Sequence, residues 1–172
     1  MDIDHSWNLR DYAMIMARYN QWMNGKLYEA AATLSDEQRK ADRNAFFKSI
    51  HGTLNHLLIG DRSWLQRFNG EQVTMKSADE ELFSDFDELR AARVAMDQQL
   101  IDFAASLAPV KASRTLTFFS VMYQKEFTLP YVAAVMQVFN HQTHHRGQAT
   151  TLLSQFGVDI GPTDLPVMPG WQ

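Results

Sequence analysis

Four long stretches of this sequence repeat apolar residues at intervals of three and four. That period fits the 3.6-residue turn of an α-helix and not the two-residue repeat of a strand. Each stretch must therefore bury one face and leave the other to water. The first runs from Leu9 to Leu34, with Leu9, Tyr12, Met16, Tyr19, Met23 and Leu27 on its stripe. The second covers about residues 47–68 and carries Ile50, Leu54, Leu57, Trp64, Leu65 and Phe68. The third, about 85–107, carries Leu89, Met96, Leu100 and Phe103, while Arg90, Arg93, Asp97 and Asp102 read as a solvated face. The fourth follows Pro130, a residue suited to a first helical turn, and continues to Phe156 before Gly157. Its stripe is Val135, Val138, Phe139, Ala149, Leu152 and Leu153. Faces of this kind cover one another best in an all-α, four-helix up-and-down bundle.

The connecting segments are equally informative. Ser35 caps a short helical turn, and Ser84 is placed to cap the third helix. Residues 70–83 form a loop long enough to lie over a site. Residues 114–120 and 125–129 are β-rich and flank Val121–Gln124, which predicts a small hairpin before the last helix. The tail from Val158 to Gln172, with three prolines, is extended.

At 172 residues the chain is expected to form one domain spanning 1–172. A net charge of −4 gives no basic footprint, so nucleic acid is disfavoured as a partner. No apolar run approaches the roughly 18 residues of a membrane span, and no signal-peptide core precedes the first helix, so the expected location is cytoplasmic. Zero cysteines exclude disulfides, cysteine–zinc sites, iron–sulfur clusters and a cysteine nucleophile.

Three of the six histidines fall within positions 141–145 of the fourth helix. His141 and His145, one turn apart, project about 40° from each other at the edge of the apolar stripe. His144 lies on the polar side with Gln137, Asn140 and Thr151. An i, i+4 imidazole pair can hold a metal ion from a single helix. Two partly buried, hydrogen-bonded histidines fit the same pattern equally well. On the second helix, His51 shares the polar side with Asn55 and Arg62, while His56 faces a side lined by Gly52, Thr53, Gly60 and Ser63. His56 is the best-placed third ligand.

Two charges sit where charges are expensive. Asp61 interrupts the second stripe, and Arg146 projects near the fourth. The expectation is an Asp61–Arg146 pair clamping these helices together, the alternative being that Arg146 snorkels to solvent. Asn20, near the first stripe, is expected to make an interhelical hydrogen bond. Tyr19, Trp22, Trp64, Tyr123 and Phe127 are the aromatic candidates to line a pocket.

Residues Leu54–Leu58, Asp61–Leu65 and His141–Gln148, with Tyr19–Asn24 in the first helix, resemble the DinB/YfiT-like family of metalloenzymes over about residues 9–156. The resemblance implies a four-helix bundle, commonly dimeric, whose divalent metal is held by one histidine of the second helix and an i, i+4 pair on the fourth. Those positions are His56, His141 and His145 here. His51 and His144 are additional, and His144 could substitute as a ligand or support one alongside Asp61 and Arg146.

Three neutral imidazoles leave a coordination position open, as in catalytic zinc sites, and suit zinc, nickel or iron. An open position binds water or a thiol and lowers its pKa. The better-understood relatives that the resemblance points to are transferases and isomerases dependent on bacillithiol or mycothiol. The leading expectation is a metal-dependent transferase joining a small-molecule thiol, glutathione or bacillithiol, to an electrophilic substrate. Metal-hydroxide hydrolysis is the second reading, although no HExxH-type helix supplies a base and the wheel turns Asp61 away. A non-enzymatic, stress-related metal-binding homodimer is the third. A di-iron bundle is weaker, because no Glu-x-x-His pair is present.

Overall fold

The computed structural model describes residues 6–170, and among these four long helices form a bundle. Helix α1 spans Leu9–Ala32 behind a capping box made by Asn8 and Asp11. Ser35 caps the short α2, Asp36–Lys40, and Ser49 caps α3, Ile50–Phe68. Helix α4 spans Phe86–Ala105, and its cap is Asp85, whose carboxylate accepts from the Glu88 N–H, rather than Ser84. A 3-10 turn, Pro109–Ser113, leads to strands β1, Thr115–Ser120, and β2, Lys125–Pro130, and then to α5, Tyr131–Ser154. The expected hairpin is present, with Phe118 opposite Phe127. Helix α3 starts three residues later than its apolar pattern suggested. Residues 45–48 close a tight turn, with Lys48 at φ +65.

Contacts along the helices fix their directions. Tyr12 meets Phe139 and Asn20 meets Arg146, so α1 and α5 run parallel. Asp61 meets Arg93 and Phe68 meets Phe103, so α3 and α4 also run parallel. His56 meets His145 and Phe68 meets Tyr131, which makes α3 and α5 antiparallel. The bundle with its hairpin is the one expected. One step within it departs from strict alternation, the crossover from α3 to α4. There the chain returns along the whole of α3: Thr74 bonds Gln66, Ala78 meets His56, and Leu82 and Phe83 reach Asn55. Asn55 is buried beneath this segment; its oxygen accepts from both the Leu82 and Phe83 N–H groups, at 2.9 and 3.0 Å.

Leucines 27, 54, 57, 89, 100 and 153 are sealed in the core. Each full burial contributes about 1.5–3 kcal/mol. The interior also carries charge. Asp61 lies 2.8 Å from the Arg93 guanidinium, which is 2.9 Å from Asp97, and Asn24 donates to Asp97 at 2.8 Å. Burial pushes Asp61 upward and Asp97 up to about 6, and Arg93 opposes this in both. This corrects two expectations. Arg93 and Asp97 are buried rather than solvated, and Asp61 pairs with Arg93 of α4, not with Arg146. Arg146 instead donates to Asn20 of α1, and to Gln142 and Thr143 at 3.3 Å each. A helical wheel shows which face a residue occupies. It does not show which neighbour that face meets, and the crossover loop sets α4 beside Asp61. Asn20 makes the interhelical bond expected of it.

The tail packs back on α1, where Tyr19 donates to the Thr163 carbonyl at 2.7 Å and Lys26 to that of Pro162. Trp171 and Gln172, the end of that tail, lie outside the described residues. No helix among the described residues is long and apolar enough to cross a membrane.

Candidate metal centre

Antiparallel packing of α3 on α5 brings His56 opposite His141 and His145. The buried Gln142 holds the register, its carboxamide donating to the Leu57 carbonyl of α3 at 3.1 Å. Gly60, one turn beyond His56, allows the close approach. A Cβ at that position would stand 2.6 Å from Cε1 of His141. The ring thus lies where any other side chain would be.

The Nε2 atom of His56 is 3.1 Å from Nε2 of His141 and 3.2 Å from Nε2 of His145. One ligand atom from each ring falls within 4.8 Å of the others. Nδ1 of His56 faces the Ala78 carbonyl at 2.7 Å, and Nδ1 of His145 faces Oε1 of Gln148 at 2.8 Å. Both partners can only accept, so both rings carry their proton on Nδ1 and turn a lone pair inward from Nε2. Two lone pairs 3.2 Å apart repel unless a cation lies between them. Nitrogens each about 2.0–2.1 Å from one divalent ion sit roughly 3.0–3.4 Å apart, which is the spacing seen here. Burial pushes the His56 imidazole down to about 4 and the His141 imidazole down to about 3, and it lowers His145 too. All three are therefore neutral at physiological pH, the state a metal ligand needs. These three histidines could hold a metal ion.

The DinB family model matches residues 9–172. The chain belongs to the DinB family. It is 24% identical over 165 residues to Protein DinB of Bacillus subtilis (strain 168), covering 91% of this chain and 92% of that one. Its fold is similar to that of a DinB-like protein from Bacillus cereus ATCC 10987, with a TM-score of 0.62 at 16% identity, over 82% of this chain and 90% of the other.

In this DinB-family chain the histidine cluster opens onto a cavity of about 650 Å³ between α3, α5, the hairpin and the 45–48 turn. Its walls are largely aromatic, with Phe46, Phe47, Trp64, Phe118, Tyr123 and Phe127. Phe47 stacks on the His56 ring at 3.8 Å and meets His145 edge-on. Of the aromatic candidates, Trp64, Tyr123 and Phe127 line this space, whereas Tyr19 and Trp22 pack beneath the tail.

The remaining histidines have other partners. His51 is buried under the crossover segment, its Nε2 donating to the Phe83 carbonyl at 2.8 Å. His144 is exposed and 3.2 Å from the Gln148 amide nitrogen. That places it behind Gln148, which in turn orients His145. Asp61 and Arg146 lie in the polar core and do not line the cavity. Sequence reasoning missed Gln148, although its position three residues after His145 was a usable clue. It also missed Phe47 and the Ala78 carbonyl, which reach His56 only through the course of two loops.

Proposed function

We propose that this protein is a metal-dependent transferase that joins a low-molecular-weight thiol, glutathione or bacillithiol, to an electrophilic acceptor. The observation that carries the reading is a cluster of three inward-facing imidazoles at the floor of an aromatic cavity whose lining, among the described residues, includes no carboxylate. A divalent ion there, zinc, nickel or iron, would supply a Lewis acid that lowers the pKa of a thiol in contact with it. His56, His141 and His145 would hold that ion through Nε2. The Ala78 carbonyl and Gln148 keep His56 and His145 in the required tautomer. Phe47, Trp64, Phe118 and Phe127 exclude water and take the apolar part of the acceptor.

In the reaction the thiol proton leaves to solvent and the sulfur bonds to the acceptor carbon. The leaving group departs with the electron pair of the bond that breaks. The chain has no cysteine, so the sulfur must enter with a small molecule. Hydrolysis would call for a general base beside the histidines. Asp61 is turned away toward Arg93, and among the described residues no Asp or Glu lines the cavity.

The test combines metal content by mass spectrometry with conjugation assays. Protein purified without an affinity tag is compared with its His56→Ala, His141→Ala, His145→Ala triple variant. Glutathione and bacillithiol are supplied with 1-chloro-2,4-dinitrobenzene and a panel of alkyl halides. Metal-dependent conjugation that the triple variant lacks is the expected result. Stoichiometric metal with no conjugation across the panel would leave a metal-binding protein and end the transferase reading.

A further inference from the structure

Several arginines among the described residues lie wholly or partly out of water, and Arg93, Arg146 and Arg67 differ in what they touch. Arg93 has two carboxylates. Arg146 has three side-chain oxygens. Arg67, half-buried in the last turn of α3, has neither. Its guanidinium sits in the corner formed by two edge-to-face aromatic rings, 4.8 Å from the Trp64 centroid and 4.6 Å from that of Phe118. Its Nε is sealed from solvent without a hydrogen-bond partner. Among the described residues no carboxylate stands within ion-pair distance of it. Ring faces attract the charge but accept no in-plane N–H bond, so among the described residues no protein group accepts from the fork of donors.

Arg67 also lines the cavity that holds the three histidines. It follows Gly60, against which His141 rests, by seven residues, or about 10 Å of helix. The cavity therefore combines the imidazoles, apolar walls and a cation, with no carboxylate among its described lining residues. A guanidinium partly stripped of its water and set against two ring systems suits a planar acid, which its outer N–H groups can grip with two parallel hydrogen bonds.

We propose that Arg67 anchors the acidic group of the acceptor, which has a flat apolar body and presents its electrophilic carbon at the histidines. This rests on the transfer reading of the site. The acid would be a carboxylate on the acceptor rather than on the thiol, because the apolar walls next to Arg67 suit an aromatic body better than a peptide-like one.

The experiment measures binding of 2-naphthoate and its neutral counterpart 2-naphthylmethanol by calorimetry. Wild type, Arg67→Gln and Arg67→Lys are each used both stripped of metal and loaded with zinc. Metal-stripped wild type should prefer the acid by at least about tenfold, the scale of one charge-assisted contact. Arg67→Gln should lose that preference while holding the alcohol within about threefold of wild type, which shows that the cavity is intact. Arg67→Lys, with charge but no fork, should keep only part of it. Equal binding of acid and alcohol, absence of binding by either, or a preference that survives Arg67→Gln overturns the proposal. Arg67-dependent binding of glutathione in place of naphthoate would assign the acid to the thiol, and would overturn it too. The metal-stripped arm separates the two ideas. If zinc never binds but the acid preference holds, the transferase reading fails and the anion anchor stands.

Discussion

Replacing Gly60 with alanine tests the geometry of the centre with one methyl group. An added Cβ would lie 2.6 Å from Cε1 and 3.0 Å from Nδ1 of His141. To regain ordinary contact the ring must retreat by about 0.8 Å, and it can, because an imidazole pivots about two side-chain torsions. A shift of that size carries Nε2 beyond the tolerance of about 0.2 Å that a metal–nitrogen bond allows. Disturbing a group that merely orients a ligand costs about 10- to 100-fold in metal affinity, and displacing the ligand itself costs at least as much. Helix propensity works the other way. Glycine to alanine inside a helix gains about 1 kcal/mol, so the fold should not suffer. Gly25→Ala is the matched control, since nothing lies within 4 Å of a Cβ there. The assay is zinc competition against a chromogenic chelator, with melting followed by circular dichroism. Gly60→Ala should lose zinc affinity by tenfold or more without losing stability, and Gly25→Ala should keep wild-type affinity. Zinc affinity within about twofold of wild type in Gly60→Ala would refute the reasoning, because His141 would then not be held where the metal needs it.

Other outcomes follow from the polar core and from metal linkage. Arg93→Met leaves Asp61 and Asp97 buried without their shared cation, and should cost about 3–5 kcal/mol at pH 7 by urea unfolding. That loss should shrink at pH 5, as the carboxylates take up protons; a loss under about 1 kcal/mol at pH 7 would mean the pair is dispensable. Asp97 is raised by burial to about 6, above its unfolded value, so the native state holds its proton more tightly. Its contribution is present below about pH 4 and is lost as pH rises through 6, at up to about 1.4 kcal/mol per pH unit. Wild type minus Asp97→Asn, measured by urea unfolding at pH 4.5, 5.5 and 6.5, should fall across that window, and a flat difference would contradict the shift. Zinc at about 100 times its dissociation constant should stabilise the protein by about 2.7 kcal/mol, or roughly 5–10 °C in melting temperature. A chelator should reverse the gain, and His141→Ala should not show it.

What could be read without coordinates was whatever repeats along one helix. The period of the apolar residues determined four helices and their faces, because burying a stripe depends on local spacing and little else. The same spacing turned His141 and His145 inward and His144 outward, and the small residues around His56 marked a face open to close approach. The β-rich segments before Pro130 marked the hairpin. Pairing across elements was another matter. Whether Asp61 meets Arg93 or Arg146 depends on which helices are neighbours, and the course of residues 69–85 along α3 decides that. The same segment brings the Ala78 carbonyl to His56, and the 45–48 turn brings Phe47 onto the ring. Gly60 looked like one small residue among several until the packed helices placed the His141 ring against it. Periodicity settles how a helix divides its residues between core and water. Contacts between residues distant in the chain are chosen by packing the whole molecule, and only the tertiary structure decided those.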